Sequence, residues 1–176
     1  MACVINASVS SGLVQTADLS GVLQFQQNGV ALPNGGVAPA FSAYGTAFQS
    51  VASATFTKIA FNTKDFDTNN NYDSTTNYRF TPTVAGYYQV NATISAGTSA
   101  TGAVQIAIYK NGSIYSYGSN IPNANLGPNA TVSNVVFCNG STDYLEIFGY
   151  QTSGVSINLG SGSSTYKFSA CLVRGA

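Results

Sequence analysis

The sequence predicts an all-β protein built as an antiparallel sandwich. Short runs of alternating apolar and polar residues, bounded by Gly, Asn and Pro, fill most of the chain, and such alternation is typical of strands with one buried face. Two Asn-Gly pairs, Asn111-Gly112 and Asn139-Gly140, supply the positive φ angles that tight hairpin turns require. Apolar residues do not recur every three to four positions, even in the Ala-containing stretch Ser42 to Ile59. We therefore expect little or no helix.

The strands can be placed in order along the chain. Each Asn-Gly pair should join two strands in a hairpin: Val104–Lys110 with Ser113–Tyr117, and Val132–Cys138 with Asp143–Tyr150. In a further strand, Tyr87–Ile94, alternate residues from Tyr88 to Ile94 are apolar and should face the core. The remaining strands are predicted at Ala40–Tyr44, Phe56–Phe61, Asn77–Phe80 and Tyr166–Val173. Polar, Asn-rich loops are expected at Thr68–Thr76 and Tyr117–Asn129.

The strand Asp143–Tyr150 carries aromatic residues on its solvent side. Alternation places Leu145 and Ile147 in the core, and the intervening residues outside: Tyr144, Glu146, Phe148 and Tyr150. An exposed aromatic row is costly for a monomer and is typical of a contact between subunits. The alternative is that a loop covers some of these rings.

Residues spaced through most of the chain resemble a known domain. They are Phe56, Asn62, Phe80, Gly86 and Tyr88, with Ala40-Phe41-Ser42-Ala43, Lys110-Asn111-Gly112 and Gly140-Ser-Thr-Asp143-Tyr-Leu145. Across residues 39–176, here called the head, this set resembles the C1q-like domain, the trimeric jelly roll shared with the tumour-necrosis-factor family. The resemblance implies an antiparallel jelly-roll sandwich (C1q/TNF-like) that binds and assembles as a homotrimer rather than catalysing a reaction. Tyr144, Phe148 and Tyr150 are then the candidate trimer interface.

Residues 1–38 form a different region, here called the arm. Its segments Ala17-Asp-Leu-Ser-Gly21 and Leu23-Gln-Phe-Gln-Gln-Asn-Gly29 resemble the leader of many bacteriophage virion proteins, in which Ala-Asp-Leu-x-Gly runs into a Leu-Gln-x-x-x-Asn-Gly strand. We expect an extended N-terminal arm that anchors the protein in the virion. The candidate anchoring residues are Leu19, Val22, Leu23 and Phe25.

Composition excludes several classes of function. Only 7% of the 176 residues are charged and the net charge is zero, so the chain lacks the basic face that a nucleic-acid binder needs. It has no His, and His is the commonest general base and the commonest transition-metal ligand in proteins. The three cysteines, Cys3, Cys138 and Cys171, show neither zinc nor disulfide spacing; the latter two are expected to act as small hydrophobic residues in strands. We predict a protein that is not an enzyme and uses no cofactor.

A cluster of acidic residues is a candidate calcium site. Asp65, Asp67 and Asp73 surround Asn69–Asn71, and such a concentration of oxygen ligands could hold calcium. The spacing lacks the Gly and Glu of a helical calcium loop, and a hydrated polar loop is the commoner explanation. We therefore predict no metal site.

The sequence favours one function over two others. We expect a homotrimeric capsid decoration or cement protein of a bacteriophage, bound to the major capsid protein or another virion protein and located on the capsid surface. No stretch reaches the ~18 apolar residues of a membrane span, and residues 1–6 lack the features of a secretory signal, so assembly in the host cytoplasm is expected. The alternatives are a short tail fibre or receptor-binding head that contacts host glycans, and a C1q-like secreted recognition module.

Overall fold

Strands account for all the regular structure in the part of the chain that the structure describes. This computed structural model describes residues 26–27, 30–31, 38–97, 101–122, 127–160 and 162–176. Every strand pairing within those ranges is antiparallel. The strands are β1 (Gln26–Gln27), β2 (Val30–Ala31), β3 (Ala40–Tyr44), β4 (Gln49–Val51), β5 (Thr57–Lys58), β6 (Thr63–Asp67), β7 (Tyr72–Asp73), β8 (Arg79–Phe80), β9 (Gly86–Ser95), β10 (Ala103–Lys110), β11 (Ser113–Pro122), β12 (Asn129–Cys138), β13 (Leu145–Gln151), β14 (Ile157–Leu159) and β15 (Lys167–Gly175).

Two large sheets make the sandwich. The front sheet has the strand order β11-β10-β13-β8-β7, and β5 also pairs with β13. The back sheet has the order β12-β9-β15-β3-β6. Two-stranded ribbons of β14 with β4 and of β1 with β2 complete the described strands. The predicted all-β antiparallel sandwich is confirmed.

The core lies between the sheets and is built by alternation along each strand. In β9, Tyr88, Val90, Ala92 and Ile94 are all buried, as predicted. Phe41 of β3 occupies the centre of an aromatic group, and its ring lies 4.7 Å from Tyr72, 4.6 Å from Phe80 and 4.8 Å from Phe168. Each of these rings removes ~150–250 Å² from water, so the group ties both sheets together.

One of the two predicted hairpins is confirmed. Lys110 of β10 pairs with Ser113 of β11, and the two residues between them, Asn111 and Gly112, have φ angles of 54° and 77°. Two successive positive φ angles define the tight primed turn that Asn-Gly favours. The sequence therefore specified both the position and the type of this turn.

The second hairpin is not formed, because β12 lies in the back sheet and β13 in the front sheet. Here only Gly140 of the Asn-Gly pair has a positive φ, of 72°. The Asn139 side-chain oxygen instead accepts hydrogen bonds from the backbone N–H groups of Ser141, Thr142 and Asp143. This local capping turns the chain through a longer connection, which carries it from one sheet to the other.

Several predicted boundaries also change. The expected strands Phe56–Phe61 and Asn77–Phe80 are shorter in the structure, where they correspond to β5 and β8. The predicted loop Tyr117–Asn129 begins later than expected, because β11 continues to Pro122. The predicted loop Thr68–Thr76 contains the short strand β7, and β6 lies directly before it at the edge of the back sheet.

The two sheets approach closely along one side of the sandwich. The backbone N–H of Thr131 in β12 donates to the Ser119 hydroxyl of β11 at 2.7 Å, and that hydroxyl contacts the Thr131 carbonyl oxygen at 3.2 Å. A Cβ atom on the preceding residue, Gly118, would lie 2.4 Å from the same carbonyl oxygen. Glycine is therefore needed for this approach of the backbones.

Apart from residue 38, the arm is described only at β1 and β2, which pair Gln26 with Ala31 and Gln27 with Val30. Leu19, Val22, Leu23 and Phe25, the candidate anchoring residues, lie outside the described residues. The division into an arm of residues 1–38 and a head of residues 39–176 stays a prediction. Within the described ranges no helix is long and apolar enough to cross a membrane.

Candidate functional site

An aromatic cluster lies on the outer face of the front sheet. We call this set, together with its strands, the aromatic face; its members are Phe56, Tyr109, Tyr117, Phe148 and Tyr150. Two of its members, Phe148 and Tyr150, are candidate interface residues from the sequence. The structure thus brings them together with Tyr109 and Tyr117 from two other strands and with Phe56 from the segment before β5.

The register of β10 and β13 positions the first rings. Leu145 and Ile147 of β13 are fully buried, so Phe148 and Tyr150 project from the opposite face. Tyr109 of β10 lies diagonally across from Phe148, and the two rings stack with centroids 3.8 Å apart and planes 22° from parallel. A diagonal pair is within reach of aromatic side chains on one sheet face.

Phe56, in the segment before β5, covers part of this row. Its ring centroid lies 4.8 Å from Tyr150, 6.0 Å from Tyr109 and 6.1 Å from Tyr117. Phe148 and Tyr150 are consequently half-buried, whereas Tyr117 remains 57% exposed. The alternative prediction, that a loop covers some of the rings, is therefore correct in part. The cluster still presents apolar surface to solvent.

Tyr144, the third candidate interface residue, has a separate environment. It directly precedes β13 and lies four residues before Phe148, roughly 13 Å away for an extended chain. The Arg79 guanidinium lies over its ring, 4.5 Å from the centroid. The structure therefore groups Phe148 with Tyr150 and places Tyr144 beside a cation.

An ion pair with one buried partner borders the aromatic face. Glu146 of β13 was expected to point into solvent, but it is only 5% exposed because Lys58 of β5 reaches over it with an Nζ–Oε1 distance of 2.8 Å. Phe148 pairs with Lys58 across the strands, which explains this placement. Burial, with a smaller contribution from Tyr117, raises the pKa of the nearby Tyr109 phenol, so this ring carries no negative charge at neutral pH.

A nearly buried carboxylate ties together the two Asn-Gly turns. Asp143 accepts hydrogen bonds from the Asn111 side-chain amide at 2.7 Å and the Asn139 backbone N–H at 3.0 Å. Its other contact is an ion pair with Lys110, at 2.9 Å. The Asn111 hydrogen bond is the largest cause that lowers the pKa of Asp143, and Lys110 adds to it. This network fixes the end of β13 that precedes the aromatic face.

The acidic cluster does not converge on a common point. Asp65 contacts Ser42 and Lys167, both at 2.9 Å. Asp67 accepts backbone hydrogen bonds from residues 71 and 72, and Asp73 accepts them from residues 75, 76 and 77. Among the described residues no group of three or more acidic, His or Cys side chains could hold a metal ion. The geometry thus gives no support to calcium.

The cysteines have unlike environments. Cys138 is fully buried, as expected for a small apolar residue in a strand, and burial raises the pKa of its thiol to about 11. Cys171 is exposed on β15, so the expectation of a packed side chain is wrong there. Its strand neighbours Ala170 and Leu172 take the core-facing positions.

A second apolar area competes with the aromatic face. On the outer face of the back sheet, Tyr87, Val135, Phe137 and Val173 are 44%, 43%, 40% and 55% exposed. We call these four residues the back-sheet patch. The Tyr87 and Phe137 rings lie 5.4 Å apart, so the patch is continuous across β9 and β12.

Sequence reasoning missed three members of the aromatic face. Tyr109 and Tyr117 lie in the correctly predicted hairpin, and continued alternation from the buried Ile106 and Ile108 would have placed Tyr109 outside. No local signal identifies Phe56, because it joins the cluster from a segment distant in sequence.

Comparison with known proteins supports the fold. No protein-family model matches the chain, and no curated protein matches it. Murine APRIL aligns with a TM-score of 0.61 at 6% identity, covering 77% of this chain and 99% of that chain. The globular domain of zebrafish complement 1qA aligns with a TM-score of 0.54 at 18% identity, covering 78% and 99%. Vertex protein P5 of phage PRD1 aligns with a TM-score of 0.58 at 19% identity, covering 80% and 100%. The predicted jelly-roll fold of C1q and tumour-necrosis-factor domains is therefore confirmed.

Proposed function

We propose that this chain is a structural virion protein of a bacteriophage: a homotrimer that decorates the capsid and cements neighbouring capsid subunits. The likeness to phage PRD1 vertex protein P5 supports a place on a virion, since it extends over 80% of this chain. The arm anchors the trimer, and the heads add buried area between subunits, which resists the internal pressure of the genome. No catalytic step is involved.

The aromatic face is the observation that carries this proposal. Large rings in partial contact, such as Phe148 and Tyr150, lose their remaining exposure when a second subunit packs on them. The zero net charge of the chain removes long-range repulsion between copies. The surface is thus suited to association of identical heads.

Light scattering of the full-length protein and two matched variants tests the trimer. Phe148→Asp removes a ring from the proposed dry contact and places a carboxylate there, which costs several kcal/mol, so this variant should be monomeric while the wild type is trimeric. Phe137→Asp makes the same change in the back-sheet patch and should leave the trimer intact. A monomeric wild type refutes the trimer, and dissociation by Phe137→Asp alone assigns the interface to the back sheet.

The arm is tested by truncation. Its apolar residues, among them Leu19 and Phe25, are too few for a core of their own, so they should order by adding strands to a partner surface. Removing residues 1–35 should leave a trimeric head that no longer sediments with undecorated capsids. Equal co-sedimentation of truncated and full-length protein would place the attachment in the head.

A tail fibre or receptor-binding head is the second candidate, and its copy number distinguishes it. Quantitative mass spectrometry of purified particles should find hundreds of copies of a cement protein and only a few copies of a fibre. The Arg79 guanidinium over the half-buried Tyr144 ring favours this second candidate.

A further inference from the structure

A polar cleft of about 470 Å³ opens at the edge of the front sheet, beside β7 and β8. β6 of the back sheet and the turn after it also contribute lining residues. The lining residues used below are Lys64, Asn70, Asp73, Ser74, Arg79 and Thr81. Amides and hydroxyls dominate this lining, which is therefore unlike the apolar surface of the aromatic face.

Arg79 has unused binding capacity in this cleft. It is half-buried, and its guanidinium lies over the Tyr144 ring. The four ion pairs in the described part of the chain use Lys58, Lys64, Lys110 and Lys167 instead. Within the same ranges the Arg79 guanidinium makes no hydrogen bond, so none of its five N–H donors has a protein acceptor, and the residue lines the cleft. A stacked, partly desolvated guanidinium is well placed to bind an anion in a bidentate manner.

The acidic residues around Arg79 are engaged elsewhere. Asp73 pairs with Arg79 across β7 and β8, yet its carboxylate accepts N–H groups of residues 75 to 77 at 2.9–3.0 Å and the Asn77 amide at 2.8 Å. These hydrogen bonds hold the pKa of Asp73 well below its usual range. Asp67 contacts Lys64 and two backbone N–H groups. Neither carboxylate forms an ion pair with the Arg79 guanidinium.

Neutral groups beside Arg79 are also available. The hydroxyls of Ser74 and Thr81 make no hydrogen bond within the described residues, although both line the cleft. Asn70 receives a hydrogen bond from Lys64 on its side-chain oxygen, which leaves its NH₂ group for a ligand. Free hydroxyl and amide groups on one cleft complement a polyhydroxylated molecule.

The backbone around the cleft is strained. Asn70 and Tyr78 have φ angles of 53° and 50°, in the left-handed region that costs an L-residue about 1–2 kcal/mol. Asn tolerates this conformation, but a bulky aromatic such as Tyr78 seldom adopts it. Strain of this kind concentrates at binding sites, where it holds side chains in position.

We propose that this cleft is a binding site for an acidic saccharide, with the anionic group held by the Arg79 guanidinium and sugar hydroxyls held by Ser74, Thr81 and Asn70. The anion is a carboxylate or a phosphate, since both match the guanidinium fork. The site extends the function of the head beyond assembly. It depends on neither the trimer nor the capsid attachment.

Saturation-transfer NMR and calorimetry on the full-length protein test the site with three probes: trigalacturonate, neutral galactotriose and galactose 6-phosphate. An acidic probe should bind at least about tenfold more tightly than galactotriose, a difference of ~1.4 kcal/mol. The preferred acidic probe identifies the anion as carboxylate or phosphate. Binding of all three probes with equal affinity, or of none, overturns the proposal.

Three variants assign the binding to Arg79. Arg79→Gln keeps part of the stem over Tyr144 but loses the charge, and should abolish the preference for the acidic probe. Arg79→Lys keeps the charge without the fork and should weaken binding to an intermediate extent. Arg174→Gln removes an exposed cation outside the cleft and should leave binding within about twofold of wild type. Unchanged binding by a folded Arg79→Gln protein overturns the proposal, and light scattering of the same samples reports separately on the trimer.

Discussion

Replacing Asp143 with Ala should cost the head about 3 kcal/mol of its free energy of unfolding. The carboxylate has three partners, at 2.7 Å (Asn111), 2.9 Å (Lys110) and 3.0 Å (Asn139). Hydrogen bonds to charged groups contribute ~1.5–3 kcal/mol each, but the three are not additive. The Asp143 side chain is 11% exposed and that of Lys110 is 22% exposed, so solvent replaces only part of what is lost. A loss of about 3 kcal/mol follows, within the range for breaking a mostly buried pair.

Urea unfolding at a single protein concentration measures this loss. With a slope of ~2 kcal/mol/M for a domain of this size, the midpoint should fall by about 1.5 M. Asp65→Ala is the matched control, because Asp65 also contacts a Lys and a side-chain donor but is 32% exposed. It should lose less than about 1 kcal/mol.

The pH dependence provides a second check on the same variant. The pKa of Asp143 is lowered on folding, so the stability that it contributes is complete above the unfolded-state value of ~3.9 and is lost as the pH falls through the folded-state value. The difference between wild type and Asp143→Ala should therefore narrow below about pH 4. Equal midpoints at pH 7, or a difference that persists unchanged in strong acid, would refute the network.

Four further outcomes follow from packing and burial. Phe41→Ala should destabilise the head by about 3–5 kcal/mol, because its ring contacts three others in the core; a loss below about 1 kcal/mol in urea unfolding would contradict this. Gly118→Ala should also destabilise by more than about 2 kcal/mol, since the new Cβ would lie 2.4 Å from the Thr131 carbonyl oxygen, and wild-type stability would show that β11 can move away. Cys138→Ala should cost about 1–2 kcal/mol and Cys171→Ala less than about 0.5 kcal/mol. At pH 8 Cys171 should react with iodoacetamide well before Cys138, whose thiol has its pKa raised to about 11 by burial; equal rates would mean that the back sheet opens readily.

The sequence predicted the features of the fold that depend on local pattern. Alternation from Tyr88 to Ile94 identified the buried face of β9, and the Asn111-Gly112 pair identified a primed turn with its flanking strands. Both signals lie within one or two strands. The second Asn-Gly pair was misassigned because the sheet that β13 joins is set by its long-range pairing with β10, which no local pattern contains.

The candidate site was predicted less completely than the fold. Phe148 and Tyr150 follow from alternation, but the position of Phe56 over them depends on contacts between residues about 90 positions apart. Glu146 shows the same limit, since Lys58 buries it from another strand. Arg79 is free to bind a ligand because the carboxylates of Asp67 and Asp73 bind other groups. The sequence does not show which partners these carboxylates choose.

Three of the four edges of the two large sheets are protected against uncontrolled strand addition. At one side of the sandwich, β11 and β12 cover each other through Ser119 and Thr131. At the far edge of the back sheet, β6 carries Lys64, Asp65 and Asp67 in a chain with only six basic and six acidic residues, and its pairing with β3 is interrupted by a register shift. Charges and irregular pairing on an edge strand discourage another chain from hydrogen-bonding to it. Heads crowded at high local concentration should thus meet through their faces and remain discrete particles, rather than polymerise edge to edge into fibres.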